Sequence, residues 1–277
     1  MEGQSQTNNR NILITGANKG IGYAIAELLA SGKTAYDIIL TSRDPELGNQ
    51  AIKEIQEKHP NSSSKLTYHQ LNVNDQKSVQ ELVNWVQNTH GKLDVLVNNA
   101  GVYDKDKSID TRLNVLNTNY FSVVNLTEKL LSLLSKDAKV IMISSSLGSL
   151  SGQGEAVQKV LNDDKLTEEQ LHKLTDKLVE ATKESKQTEI GFSPTTYSAS
   201  KALLNAYTRW ILPRKLTGDQ QCFSVCPGWC RTDLGGPGAM LSKEDGADTP
   251  VYLINLPFKF DTNLSSRFIK KRQVFDY

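Results

Sequence analysis

Six short apolar runs, separated by longer stretches of helical periodicity, restrict this chain to few folds. Residues 11–15 (NILIT), 37–41 (DIILT), 66–73, 93–97 (LDVLV), 139–144 (KVIMIS) and 221–226 read as strands. Residues 21–31, 45–58, 79–89, 117–134 and 197–212 read as the helices between them. Strands rich in Val and Ile, alternating with helices, indicate a parallel sheet covered on both faces. Right-handed crossovers then wind helices onto each side, giving a doubly wound α/β fold. At 277 residues one such domain accounts for the whole chain.

Residues 151–193 break the alternation. Within them TEEQ fits a capping box, with Thr167 as N-cap and Gln170 three residues on. Leu171, Leu174, Leu178 and Ala181 follow at helical spacing, opposite Lys173, Asp176, Lys177 and Glu180. One apolar and one charged face describe a helical insertion docked on the body.

Bulk properties remove several function classes. A net charge of +1 gives no general attraction to nucleic acid or to a membrane surface. No apolar run reaches the length of a transmembrane helix, and the opening MEGQSQTNNR is too polar for a secretion signal. The expectation is a soluble, cytoplasmic protein. Cys222, Cys226 and Cys230 are odd in number, and the four histidines are scattered, so neither a disulfide framework nor a metal site is expected.

Thr15–Gly22 reads TGANKGIG, after the first strand and opening the first helix. Gly16, Gly20 and Gly22 let the backbone turn tightly and approach a diphosphate, which the helix N-terminus attracts. This context marks a Rossmann-type dinucleotide site. An acid holding the free ribose hydroxyl of NAD is expected about 20 residues on. Ser42 and Arg43 stand there instead. A guanidinium pairs with the 2′-phosphate of NADP, and Lys19 would add a second positive charge. The bland alternative makes Arg43 a solvated loop residue and Asp44 a helix cap.

Tyr197 and Lys201 (YSASK) form an i, i+4 pair on one helix face. A phenol titrates near pH 10, and a neighbouring ammonium lowers that value. Such a pair can protonate a carbonyl oxygen as hydride arrives at carbon.

TGANKGIG, NNAG (98–101), Asn119, Ser145, YSASK and PGWCRT (227–232) occur in the order seen in short-chain dehydrogenases/reductases, which the chain resembles from about Asn11 onward. NKGIG, TSRD, CPGW, RTDLGGP and GADTPVYL look most like the monomeric NADPH-dependent carbonyl reductases. The resemblance implies that Ser145 hydrogen-bonds the substrate oxygen and Tyr197 is the general acid. Lys201 would lower the tyrosine pKa and hold the nicotinamide ribose, and Asn119 would position main chain and a water. Gly16, Asn18, Lys19, Gly20, Ile21 and Gly22 would contact the cofactor at the turn, and Arg43, Asn72 and Val73 at the adenosine end. Asn98, Ala100 and Gly101 would line the adenine side and stabilise the central sheet, and Pro227, Gly228 and Thr232 would stand at the nicotinamide end. Trp229 would wall the carbonyl pocket, with Leu147 and Met240 serving either there or in the core. The long gap from Ser145 to Tyr197 holds the insertion, which in the carbonyl reductases covers the face others use to oligomerise. A monomer is implied.

Some positions depart from the family pattern. Asn72 replaces the usual Asp, and Ser122 stands where glycine is common and would crowd the helix. Ser145 is picked from the run Ser144–Ser145–Ser146 by its SxxG spacing to Gly148. Cys226 reads as buried and inert, or as redox-sensitive, with no local cation evident. Three other functions compete with a general carbonyl reductase. They are a narrow-specificity steroid, terpenoid or alkaloid oxidoreductase, a silent NADP sensor, and an epimerase, for which the residues after Thr232 are too few.

Overall fold

A computed structural model describes residues 9–103, 106 and 108–277; most of the polar opening segment lies outside them. The expected alternation is present. Strands β1 (Arg10–Ile14), β2 (Tyr36–Ser42), β3 (Lys65–Gln70), β4 (Leu93–Asn98), β5 (Leu134–Ile143) and β6 (Gln221–Cys226) pair in parallel. Two further strands, β7 (Phe268–Lys270) and β8 (Gln273–Phe275), extend the sheet to the order 3-2-1-4-5-6-7-8. Only β8 runs antiparallel, closing a hairpin on β7. Three-residue strands carry too little periodicity to be seen in sequence. Pairing of β7 with β6, and of β8 with β7, creates them.

The helices fall in two layers. On one face lie α1 (Gly20–Ser31), α2 (Pro45–Lys58) and, at the end of the chain, Lys243–Asn255. On the other lie α3 (Gln76–Thr89), α4 (Ile109–Leu116), α5 (Ser122–Leu130), α6 (Glu155–Leu161), α7 (Glu168–Lys183) and α8 (Thr196–Ala206), which makes the terminal helix α9. β4 and β6 are buried at every residue, as central strands covered on both faces must be. The helix expected from residue 117 begins earlier, at Ile109, where the Ser108 hydroxyl accepts the Thr111 N–H at 3.2 Å. Its Asp, Thr and Asn content disguised it as a loop. A π turn, Asn117–Phe121, joins α4 to α5. Ser122 does not crowd that helix, because its hydroxyl donates to Asn74 Oδ1 at 2.8 Å.

The insertion is helical, as expected. Thr167 and Gln170 close their capping box at 3.2 and 2.8 Å. Leu161, Leu171 and Leu178 join the core formed by Leu116, Leu203, Leu204 and Tyr207. Polar groups beyond α8 reach back to fix it. Trp210 Nε1 donates to the Leu161 carbonyl, Arg214 to those of Asp164 and Leu166, and Lys215 pairs with Glu128 and Glu168.

Candidate active site

Strand order reverses between β1 and β4, and there the chain leaves both strands toward the same crevice. The loops after β1, β2, β4, β5 and β6 therefore share one edge of the sheet. They carry the expected motifs.

The turn after β1 has the shape of an anion cradle. Gly16 and Gly20 have φ of 63° and 60°, a region that side chains disfavour. A Cβ on Gly22 would sit 2.5 Å from Asn99 Nδ2 and 2.7 Å from the Gly16 carbonyl. Only glycine lets α1 start this close. The first turn of α1 holds no acidic residue and no side-chain cap, so its N–H groups remain available to a diphosphate. Asn18 and Ile21 are half-buried in the turn. Asn99 fastens the turn by donating to the carbonyls of Thr15 and Gly16 at 2.8 and 3.1 Å, while Thr15 Oγ1 accepts the N–H groups of Asn99 and Ala100.

Arg43 follows β2 directly and is exposed; among the described residues no acidic side chain pairs with it. Asp44 is the cap of α2, accepting from Glu46 and Leu47. Cation and cap coexist, so the two sequence readings were not exclusive. The exposed Lys19 ammonium pairs with Asp233 at 2.6 Å, across the mouth of the turn. Asn72 turns its Oδ1 to the Asn74 N–H at 3.2 Å, and the Val73 side chain is buried in the core. Asn98 serves the sheet, as one half of its expected role has it. Its amide donates to Thr127 at 2.9 Å and Met142 Sδ at 3.2 Å inside the sheet. The neighbouring Asn99 meets the glycine turn instead, an alternation of faces that NNAG alone did not resolve.

The loop after β5 separates the three serines. Ser144 Oγ donates to Asn205 Oδ1 at 2.6 Å, and Ser146 faces Cys226 Sγ at 3.1 Å. Ser145 Oγ accepts the Leu147 N–H at 3.1 Å and is close enough to the Tyr197 phenol to lower its pKa. Gly148 explains the spacing: a Cβ there would lie 2.6 Å from the Lys201 carbonyl carbon. The serine loop touches the backbone of α8. Asn205 ties both together, since its Nδ2 donates to the Gly148 carbonyl at 3.2 Å.

Tyr197 and Lys201 lie one turn apart on α8, with the ammonium 5.7 Å from the phenol ring centre. Lys201 Nζ donates to the Ile143 carbonyl at 2.8 Å. Burial pushes the Tyr197 phenol up to about 12, against the lowering effect of the Ser145 hydrogen bond. Burial pushes Lys201 down to about 8, with Cys226 acting in the opposite direction. Burial thus outweighs any lowering by the lysine, whose ammonium is turned to a carbonyl, and the Ser145 interaction acts against burial. Cys226 has a cation nearby after all, supplied by α8. Cys222 and Cys230 are buried, and burial pushes their thiols up to about 12 and 11.

Asn119, fully buried in the π turn, accepts the Val102 N–H and donates to the Val102 carbonyl, both at 2.8 Å. Gly101 leaves room for this, a Cβ there falling 3.3 Å from Asn119 Oδ1. A widened turn at a functional residue is a recurrent use of π geometry. Beyond Val102, Tyr103 lies 5.0 Å from Tyr197 between ring centres. The sequence carried no signal for Tyr103 or Asn205.

After β6, Pro227 and Gly228 lead into a loop beside the glycine turn. Gly228 has φ of 83°, and the Thr232 side chain lies against Gly20. Trp229 is 57% exposed, and its Nε1 donates to the Gly235 carbonyl at 2.8 Å. Leu147 and Met240 are exposed, which excludes the core alternative for both.

Residues 10–157 match the family model described as short chain dehydrogenase. The NADPH carbonyl reductase 1 of Sus scrofa is 37% identical over 262 residues, covering 91% of this chain and 89% of that protein. Its Bos taurus counterpart is 36% identical over 277 residues, covering 96% and 97%. Among solved structures, salutaridine reductase from Papaver somniferum superposes with a TM-score of 0.83 at 28% identity, covering 94% of this chain and 99% of that one. Menthone neomenthol reductase from Mentha piperita gives 0.82 at 28%, covering 96% and 100%.

Proposed function

This chain belongs to the short chain dehydrogenases, and from that premise we propose that it reduces ketones, aldehydes or quinones to alcohols with NADPH. The observation that carries this reading is the convergence of Ser145, Tyr197 and Lys201 beside a glycine cradle and an exposed arginine, which no acidic side chain pairs with among the described residues. Gly16, Asn18, Gly20, Ile21 and Gly22 would hold the diphosphate, with Lys19 and Arg43 toward the 2′-phosphate. Asn72, Val73, Asn98, Ala100 and Gly101 would border the adenine side, and Pro227, Gly228 and Thr232 the nicotinamide side.

When bound, NADPH supplies the hydride. Ser145 and Tyr197 hydrogen-bond the carbonyl oxygen and draw charge toward it. Burial keeps the phenol protonated at neutral pH, the state a donor needs. Tyr197 gives up its proton as charge builds on oxygen, and Lys201, anchored on Ile143, stabilises the resulting phenolate. Asn119 holds the Val102 backbone beside them, and Trp229 walls the pocket. A positioned proton donor is worth about 10²–10⁴ in rate.

The test is NADPH oxidation over a panel of quinones, aldehydes and ketones, run beside Tyr197→Phe. Turnover in the variant equal to the parent would remove this mechanism. A narrow-specificity terpenoid or alkaloid reductase is the second reading, favoured by the two plant reductases whose folds superpose. Turnover confined to one ring ketone of the panel selects it.

We further read the chain as one domain with its insertion at about 151–193, acting as a cytoplasmic monomer. The insertion packs on the α4 and α8 side, which supports the monomer. Among the described residues no helix is long and apolar enough to cross a membrane, and the three cysteines are unpaired. Elution at a tetramer mass, or recovery in a membrane fraction, excludes the respective assignment.

A further inference from the structure

Tyr103 occupies a place that the proton-donor mechanism does not use. The Asn119 side chain takes both the N–H and the carbonyl of Val102, so the backbone is pinned one residue before it. From that fixed point its ring leans on Tyr197, with centres 5.0 Å apart and planes inclined at 56°. Tyr197 is 8% exposed, whereas Tyr103 keeps 37% of its surface open. The outer ring therefore covers part of the inner one and keeps a face of its own accessible.

Sheet order places that face relative to the rest of the pocket. β4, β5 and β6 are neighbours, and each ends at the same edge. Tyr103 follows β4, the Ser145 loop follows β5, and Trp229 follows β6. The two aromatic side chains thus belong to loops on opposite sides of the reacting oxygen's position. Both are held: Tyr103 through Val102, and Trp229 through its hydrogen bond to Gly235. Gly235 and Gly238 lie under the indole, a Cβ on the first falling 3.4 Å from its Cδ1 and on the second 3.8 Å from its Cη2. Leu147, from the middle loop, adds a third exposed apolar side chain. Fixed aromatic faces left in water are what a binding wall looks like before its ligand arrives.

We propose that Tyr103 determines substrate specificity, forming with Trp229 a pair of aromatic walls that align a flat, conjugated carbonyl compound against Tyr197. This rests on the reading of Tyr197 as proton donor. A planar π system gains offset or edge contacts with such walls, beyond the area it buries. A short aliphatic chain gains only area. The wall therefore acts on one class of substrate and spares the other.

The experiment compares the parent protein, Tyr103→Ala and Tyr103→Phe at saturating NADPH. The two probes are a two-ring quinone and a short aliphatic aldehyde. Tyr103→Ala is expected to raise KM for the quinone about fivefold, with kcat changed less than about twofold. Its kcat/KM for the aldehyde stays within about twofold of the parent. Tyr103→Phe, which keeps the ring, restores the quinone KM. Equal losses on both probes would make Tyr103 a mere support for Tyr197 and overturn the proposal. So would an unchanged quinone KM in the alanine variant, or a phenylalanine variant as impaired as the alanine one. Absence of turnover by the parent removes the proton-donor reading and this proposal with it. Normal aldehyde turnover without quinone discrimination removes this proposal alone.

Discussion

Gly148→Ala tests how closely the serine loop and the Tyr–Lys helix must approach. The backbone at Gly148 is not in the left-handed region, so the effect of a methyl is steric. The new Cβ would lie 2.6 Å from the Lys201 carbonyl carbon, 2.7 Å from its Cβ and 2.8 Å from the Ala202 nitrogen. All three are backbone or backbone-proximal atoms of α8, whose every residue is buried. The helix cannot retreat, so the loop must move outward by about 0.8 Å to regain ordinary contact. That shift carries Ser145 away from Tyr197 and stretches the Asn205 bonds to Ser144 and Gly148, now 2.6 and 3.2 Å. A misplacement near 1 Å costs about 10²-fold in rate. Overpacking of this kind costs about 1–3 kcal/mol of stability. The expectation is a kcat lowered by about two orders of magnitude with KM for NADPH nearly unchanged. NADPH absorbance under steady-state conditions reads the first effect, and urea unfolding reads the second. A variant with parental kcat and parental midpoint would refute the reasoning, since the loop would then have slack that the contacts deny.

Arg43→Ala is expected to raise KM for NADPH by about 10- to 100-fold, the loss of charged hydrogen bonds to a phosphate, and to leave KM for NADH almost unaltered. Equal effects on the two cofactors would remove the 2′-phosphate assignment. In the free protein kcat/KM should fall as pH rises through about 8, where buried Lys201 loses its charge, while Tyr197 stays protonated until about 12. A profile flat to pH 10 would contradict this. The stability effects have opposite signs. Between about 8 and the ordinary 10.5 the unfolded chain holds a proton that folded Lys201 has released, so this group's contribution to stability rises with pH. Between the ordinary 10 and about 12 folded Tyr197 keeps a proton that the unfolded chain loses, so its contribution is lost as pH rises.

Features set by neighbours in the chain were legible without coordinates. The Val- and Ile-rich runs, the glycine turn between strand and helix, the capping box at Thr167 and the four-residue spacing of Tyr197 and Lys201 each depend on interactions within a few residues. Side-chain periodicity and backbone sterics act at that range. Short partner strands, the terminal helix and the direction of each polar side chain do not. α9 contains Gly246 and Pro250 and reads as a broken segment. It persists because Gly246 packs on Ile21 and Cys230, and buried Lys139 donates to the carbonyls of Leu253, Ile254 and Leu256 at its end.

The same limit governs the site. Its chemical types were readable from the sequence, but their arrangement was decided by contacts across the sheet. Which serine meets Tyr197 was settled by Asn205 and Cys226 taking the other two, from segments about 60 and 80 residues away. Asn99 rather than Asn98 faces the glycine turn, Lys19 reaches Asp233, and Tyr103 leans on Tyr197. Burial set the ionisation of Tyr197 and Lys201 against their bare sequence chemistry. Local spacing fixed which groups could react. Only the packing of distant segments into one water-poor crevice fixed where they point and which protons they hold.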